Sequence, residues 1–260
     1  MGFTDFVSNT TYDLYEAKLE KEVLEGQMPK HVAIIMDGNR RYAKDVLKTD
    51  DTSEGHRRGK DKVEEVLNWC LKLNIRVLTI YALSTENFSR EDSEVDYLLK
   101  LIIETMYELA DDERVHKNRI HVRMIGDREL APEQLMDAVK CVEERTKGYE
   151  NYRFNIAVAY GGRQEIVSAV KEVARKVKDG AIDISDIDES SISGHLYTSD
   201  DPDPDLVLRT SGELRLSNFL IWQLAYSELY FTDVYWPGFR YIDFLRAIRS
   251  YQQRSRRYGT

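Results

Sequence analysis

The chain has 260 residues, 42% of them hydrophobic, which is enough to bury a sizeable core without disulfide or metal staples. Its net charge of −9 argues against a general nucleic-acid coat. No run approaches the ~18 apolar residues of a membrane-spanning helix, and the N-terminus lacks the basic start and apolar stretch of a secretory signal. A cytoplasmic protein is therefore expected.

Residues 11–25 predict an amphipathic helix with Leu14, Tyr15, Leu19, Val23 and Leu24 on one side, followed by a linker that ends at Pro29. A first strand is expected at 31–36 and a helix at 59–73, with Val63, Val66, Leu67, Cys70 and Leu71 at helical spacing. A second strand at 77–83 ends in Ser84-Thr85-Glu86-Asn87, and the polar, acidic stretch 88–95 reads as a mobile loop. A long helix follows from about 95 to 112, then a third strand at 121–125 and a helix opened by Pro132.

The fourth strand, 154–159, ends at Tyr160-Gly161-Gly162-Arg163. The next helix places Ile166, Val167, Val170, Val173, Ala174 and Val177 on one face and closes at Gly180. After an acidic, loop-like stretch at 181–205 come a fifth strand at 206–208, a short apolar helix at 218–228, a sixth strand at 229–234 and a last helix from about Tyr241. Strands that alternate with helices predict an α/β fold: one domain with a mostly parallel six-stranded sheet covered on both faces. Cys70 and Cys141 both lie in helical patterns and read as reduced, buried thiols.

The strands stop at polar clusters. The first reads His31-Val-Ala-Ile-Ile-Met-Asp37-Gly38-Asn39-Arg40-Arg41. A carboxylate at the end of a buried strand is a common Mg²⁺ ligand, and Mg²⁺ is held by one or two carboxylates plus phosphate oxygens. The same Asp is equally ordinary as a helix cap or turn residue. After the fifth strand, Arg209-Thr-Ser-Gly-Glu-Leu-Arg215-Leu-Ser217-Asn218 sets two guanidiniums and a hydroxyl around a Gly turn, which suits bidentate contact with phosphate oxygens. Ser84 and Asn87 could orient a substrate or relay a proton. Tyr160-Gly161-Gly162-Arg163 offers a tight backbone and a cation at a helix start. The basic end, Arg254 to Gly259, suits a helix terminus or an anion. His56, among Arg57, Arg58 and Lys60, favours phosphate over metal, whereas His31 reads as structural. Gly55-His-Arg-Arg-Gly59-Lys60-Asp61 is one residue short of a P-loop and has Asp where the hydroxyl belongs. Ile35 stands where an aspartyl-nucleophile phosphatase needs Asp, and no GxGxxG turn occurs.

Residues 31–43, Gly55-His56, 81–87, Ile125-Gly126-Asp127, 155–163 and 205–237, in this order, are together specific. On them the chain, over about 29–259, resembles the cis-prenyltransferases, the undecaprenyl and dehydrodolichyl diphosphate synthase-like enzymes of the archaeal and eukaryotic branch. Residues 1–28 would then be an added helix and 29–260 the catalytic domain. The resemblance implies a homodimer of α/β subunits, each with an apolar tunnel under the sheet edge. It implies Mg²⁺-dependent, head-to-tail addition of isopentenyl diphosphate to an allylic diphosphate, farnesyl or geranylgeranyl, with new cis double bonds.

Carried over by position, Asp37 would hold the metal, and Gly38, Asn39, Arg40 and Arg41 would cradle the allylic diphosphate with His56 beside it. Ser84 and Asn87 would lie near the condensing carbons. Arg209, Arg215 and Ser217 would bind isopentenyl diphosphate, and Phe88 and Arg90, after the second strand, would be substrate-binding residues. Glu228 would reach a metal across the dimer, and Arg257 and Gly259 would close the partner's site. Phe88 replaces the Trp of many relatives, and Arg40 their Gly or another residue. A lipid product makes peripheral membrane contact a natural expectation. The competing readings are a non-catalytic subunit of the same fold, which would have lost the Asp-Gly-Asn cluster, and an unrelated phosphate-binding hydrolase.

Overall fold

A computed structural model describes the backbone of residues 3–89 and 92–254 and the side chains of 13–87 and 93–254. In chain order the elements are α1 (Phe3–Glu25), β1 (His31–Ile35), α2 (Asn39–Tyr42) running into a wide turn at Ala43–Leu47, and α3 (Thr52–Lys72). Next come β2 (Val77–Ser84), α4 (Asp92–Asp111), α5 (Glu113–Asn118), β3 (Ile120–Ile125), α6 (Glu133–Thr146) and β4 (Tyr152–Tyr160). The chain continues through α7 (Gly162–Lys178), α8 (Glu189–Ser193), β5 (Leu206–Arg209) and β6 (Glu228–Phe231) to α9 (Tyr241–Gln253).

The six strands form one sheet in the order β3-β4-β2-β1-β5-β6, and every neighbouring pair is parallel. All five residues of β1 are buried, as befits a central strand covered on both faces. One face carries Val32, Ile34, Leu78, Ile80, Phe154 and Leu208 in the main core, together with apolar residues of α3, α4, α6 and α9. The other carries Ala33, Ile35, Tyr81, Ala157 and Val207 under Phe219, Leu220 and Leu224. A register shift between Tyr81 and Leu83 resets the alternation, so Tyr81 lies on one face while Ile80 and Leu83 share the other.

Four sequence expectations give way. α1 buries Leu19 and Val23 beside α9, while Leu14, Tyr15 and Leu24 stay exposed, so its apolar side is narrower than expected. α7 buries Glu165, Ala169 and Val173, whereas Val167 and Val170 are 53% and 48% exposed, because residues 219–224 cover much of that sheet face instead. The apolar helix expected at 218–228 is absent: Ser217, Asn218 and Leu220 have φ of 50°, 61° and 44°, which breaks a right-handed helix at its first turn. α3 also starts seven positions before the expected 59, capped by Asp51, whose side chain accepts from Ser53 N at 2.9 Å. That extension puts Gly55 and His56 on the helix.

Beneath the second face a polar row crosses the sheet. Thr79, Asn155 and Arg123 are register partners on β2, β4 and β3. Arg123 Nε donates to Asn155 Oδ1 at 2.7 Å, and Asn155 Nδ2 donates to Thr79 Oγ1 at 3.0 Å and to Asp201 Oδ2 at 2.8 Å. His31 ends the row. Its Nδ1 donates to Pro202 O at 2.7 Å, so in the neutral ring Nε2 accepts from the Thr79 hydroxyl at 2.8 Å. Burial holds the His31 pKa below its ordinary value, against the pull of Asp201 and Asp205.

The unfolded chain therefore takes up a proton at this histidine before the folded one does. Its contribution to stability is complete above about pH 6.5 and is lost as pH falls from there towards the folded pKa. Unfolding midpoints measured from pH 7.5 to 5 should fall less steeply in His31→Gln than in the parent protein. The difference between the two isolates His31 from Glu165, whose raised pKa acts with the opposite sign. Identical slopes would refute the assignment.

Candidate active site

In an open parallel sheet, ligands bind where neighbouring strands send their chains in opposite directions. Here β1 leads towards β2 on one side and β5 towards β6 on the other, so the crevice opens at the carboxyl ends of β1 and β5. Asp37 follows β1 and Arg209 ends β5. The two strands are stitched beyond their ladder by Thr210, which is fully buried: Asp37 N donates to Thr210 Oγ1 at 3.0 Å, and that hydroxyl donates to Asp37 O at 2.7 Å.

Arg209 Nη2 donates to Asp37 Oδ2 at 2.8 Å, and Arg41 Nη2 to Asp37 Oδ1 at 3.2 Å. The Arg209 side chain is only 4% exposed and that of Asp37 27%. Burial alone would raise the Asp37 pKa. The Arg209 hydrogen bond and the charges of both guanidiniums outweigh it and hold the carboxyl below its ordinary value. Arg209 Nη1 also donates to Ser217 Oγ at 2.8 Å and to the Arg215 carbonyl. Arg41 Nη1 reaches Glu213 Oε1 at 3.1 Å, and Arg215 donates to the other oxygen of that carboxylate.

Close packing aims the turn after β1. Gly38 has φ +102°, and a Cβ there would stand 2.9 Å from both Ser211 Oγ and Tyr235 Cδ1. Gly55 and Gly59, four apart on one face of α3, face Asn39. A Cβ at Gly55 would lie 2.1 Å from Asn39 O, and one at Gly59 2.3 Å from Asn39 Oδ1. Beside them His56 Nε2 pairs with Glu94 Oε1 at 3.2 Å, and Arg40 Nε approaches the same oxygen at 3.6 Å. At the end of β2, Ser84 N donates to Asn87 Oδ1 and Asn87 N to Ser84 Oγ, both at 3.2 Å.

Eleven of the sequence-chosen residues line one open cleft of about 800 Å³: Asp37, Gly38, Asn39, Arg40, Arg41, His56, Ser84, Asn87, Arg209, Arg215 and Ser217. Glu228 does not join them. It pairs with Leu206 at the opposite end of β5 from Arg209, and its carboxylate accepts from Arg254 Nη1 at 2.7 Å. Phe88 lies in the 3₁₀ turn Thr85–Ser89, and its side chain is outside the described residues, as are Arg90, Arg257 and Gly259. Sequence reading did not single out Thr210, Glu94 or Glu213, because their roles come from partners remote in the chain. Arg163 serves through its backbone amide, and its side chain is not part of the cleft.

Among the described residues no group of three or more His, Cys, Asp or Glu is placed to hold a metal ion. Asp37 offers a single carboxylate beside an open, guanidinium-rich cleft. That donor set suits an ion shared with diphosphate oxygens and not an all-protein cage. If Arg209 is what keeps Asp37 ionised, Arg209→Gln leaves burial less opposed. The Asp37 carboxyl carbon, followed by NMR titration, should then titrate at higher pH, and an unmoved midpoint would contradict this account.

The family described as putative undecaprenyl diphosphate synthase matches residues 35–259. The chain is 52% identical, over 259 residues and the full length of both proteins, to the tritrans,polycis-undecaprenyl-diphosphate synthase (geranylgeranyl-diphosphate specific) of Thermoplasma volcanium. It is 53% identical to the synthase of the same name from Methanocaldococcus jannaschii, covering all of this chain and 93% of that one. Among solved structures it resembles lavandulyl diphosphate synthase from Lavandula x intermedia in complex with dimethylallyl diphosphate (TM-score 0.82, 39% identity, 90% of this chain and 98% of that one). It also resembles a probable undecaprenyl diphosphate synthase from Campylobacter jejuni (TM-score 0.73, 30% identity, 90% and 100% covered). A parallel sheet with a carboxylate and paired arginines at its switch point, matched along nearly its whole length, belongs to the undecaprenyl diphosphate synthase family of cis-prenyltransferases.

Proposed function

We propose that this enzyme adds isopentenyl diphosphate head-to-tail to geranylgeranyl diphosphate, forming a cis double bond at each step, to make a long-chain polyprenyl diphosphate. The carrying observation is Asp37 clasped by Arg41 and Arg209 at the β1–β5 crevice, next to a second group of Arg215 and Ser217. The choice of geranylgeranyl over farnesyl primer follows the relatives from T. volcanium and M. jannaschii, both named as geranylgeranyl-specific.

On this reading Arg40, Arg41, His56 and the turn at Gly38 and Asn39 hold the allylic diphosphate. Arg209, Arg215 and Ser217 hold the isopentenyl diphosphate. Glu94 and Glu213 occupy positions that the diphosphates would take, against Arg40 with His56 and Arg41 with Arg215. Arg209, held by burial and by Asp37, can meet developing negative charge with little reorganisation, whereas Arg40, Arg41 and Arg215 exchange a glutamate for a diphosphate. In each cycle the allylic C–O bond breaks, a C–C bond forms to the isopentenyl double bond, and one proton leaves. Ser84 and Asn87, locked together at the end of β2, flank the reacting carbons, and Phe88 and Arg90 follow them in the chain.

The family uses a divalent metal. Mg²⁺ shared between Asp37 and phosphate oxygens would neutralise the departing diphosphate. A recess of about 90 Å³ between α3, α4 and β2, lined by Val63, Ile80, Leu98 and Ile102, adjoins Asn39 and His56. We take it as the head of the apolar tunnel for the growing chain, since a carbocation needs enclosure from water. The exposed Val167 and Val170 on α7 and the open edge of β6 support a homodimer. In it Glu228 would supply its carboxylate to the second site as a metal ligand, and Arg257 and Gly259 would close the neighbouring cleft. No helix among the described residues is long and apolar enough to cross a membrane. A cytoplasmic enzyme that delivers its lipid at a membrane surface fits that observation.

Asp37→Asn keeps an acceptor for Arg209 and removes the charge. Incorporation of labelled isopentenyl diphosphate should drop by ~10³-fold while the circular dichroism spectrum is unchanged. Near-parental turnover would remove Asp37 from the mechanism, and phosphate release without chain extension would favour a hydrolase. Offered geranyl, farnesyl and geranylgeranyl diphosphates separately, the enzyme should show its highest kcat/KM with the last. A preference for farnesyl diphosphate, read by chromatography of the products, would overturn the primer assignment.

A further inference from the structure

Among the described residues, left-handed backbone at non-glycine positions concentrates near the cleft. Ser211, Ser217, Asn218 and Leu220 have φ of 77°, 50°, 61° and 44°. Asn tolerates this region through its short polar side chain, whereas Ser and Leu do not favour it. Such a run persists only where its surroundings over-determine it. The surroundings here converge on one side chain.

Asn218 Nδ2 donates to Glu86 Oε1 at 3.0 Å and to Gln164 Oε1 at 3.1 Å. Its Oδ1 accepts from Arg163 N at 2.9 Å, and its backbone carbonyl accepts from Gly162 N at 2.7 Å. Both amide protons and the amide oxygen are used. The glycines after β4 make the room. A Cβ on Gly161 would stand 2.9 Å from Asn218 Nδ2, and one on Gly162 3.1 Å from Asn218 O. The Gly-Gly-Arg turn, which reads in the sequence as a tight backbone with a cation at a helix start, is the receptor for this asparagine.

The bonds tie three elements together. Glu86 belongs to the turn after β2 that carries Asn87 and adjoins Ser84. Gly162, Arg163 and Gln164 open α7. Ser217, the immediate neighbour of Asn218, accepts from Arg209 Nη1 through its hydroxyl and from the Tyr81 hydroxyl through its carbonyl. We propose that Asn218 is a positioning residue, which fixes the Arg209–Ser217 diphosphate clamp at a set distance from the end of β2. It touches no substrate itself. The proposal rests on the reading of Arg209, Arg215 and Ser217 as the isopentenyl diphosphate site.

Asn218→Gly keeps the left-handed backbone and deletes the side-chain bonds. The KM for isopentenyl diphosphate should rise about tenfold or more, while the KM for the allylic primer moves less than about threefold. A residue that only held the fold together would lower the melting temperature and leave that ratio of KM values alone. An unchanged KM for isopentenyl diphosphate therefore overturns the proposal. If Asn218→Gly does not fold, Asn218→Asp carries the same two outcomes. It keeps the bond from the Arg163 amide, loses both donors and sets a carboxylate against Glu86. Calorimetric titration of isopentenyl diphosphate into the parent and Arg215→Ala tests the underlying site separately. Undiminished affinity in Arg215→Ala would remove the clamp assignment itself, whereas lost affinity there with a normal Asn218→Gly would remove only the positioning role.

Discussion

The pairing of Asp37 with Arg209 is the contact on which the cleft depends. It joins residues 172 positions apart across the two strands where the sheet changes direction. A solvent-exposed ion pair contributes ~0–1 kcal/mol, but that is the wrong comparison, because the guanidinium is 4% exposed. Removing the partner of a buried charge costs about 3–5 kcal/mol. Arg209 Nη1 is met by Ser217 and the Arg215 carbonyl, so one side chain organises both halves of the anion site. The same guanidinium keeps the carboxyl ionised. A diphosphate-handling site needs both properties together: fixed positive charge, and an acidic group that stays anionic in spite of burial.

Around that pair, shape matters as much as charge. α3 approaches the turn after β1 so closely that two of its residues have to be glycine, and the third glycine, at position 38, takes a left-handed backbone between Ser211 and Tyr235. The Trp236 indole reinforces the contact by donating to Gly59 O at 2.8 Å, while the Trp236 amide donates to Asp37 O at 3.0 Å. The turn is therefore wedged between a helix on one side and the strand-end loops on the other. Pre-set geometry of this kind lowers the entropy that a bound anion must lose.

Much of the fold was legible because the strands are continuous apolar runs such as His31-Val-Ala-Ile-Ile, and because each ends at a conspicuous polar cluster. Asp37, Arg41, Arg209 and Ser217 were visible for that reason. Glu94, Thr210 and Asn218 were not, since a hydrogen bond across 38 to 173 positions leaves no local trace. The apolar stretch 219–224 misled in a specific way. Its composition suits a helix, yet Asn218 and Leu220 take left-handed backbone, with Asn218 bonded to the turn after β2 and to α7, and tertiary bonds override local propensity. The α7 stripe misled differently: its spacing is helical, but among the described residues nothing covers Val167 and Val170.

The strand order also carries a lesson about biogenesis. β1 has one neighbour, β2, that begins 46 residues later at Val77, and another, β5, that begins only at Leu206. During translation the N-terminal two-thirds of the polypeptide can zip β1, β2, β4 and β3 together while the far flank of β1 offers unpaired amides and carbonyls. Such a flank is a template for mispairing with other nascent chains. The reaction centre is thus among the last parts to assemble. A chain halted before residue 206 would hold four of the six strands and leave one border of β1 unpaired.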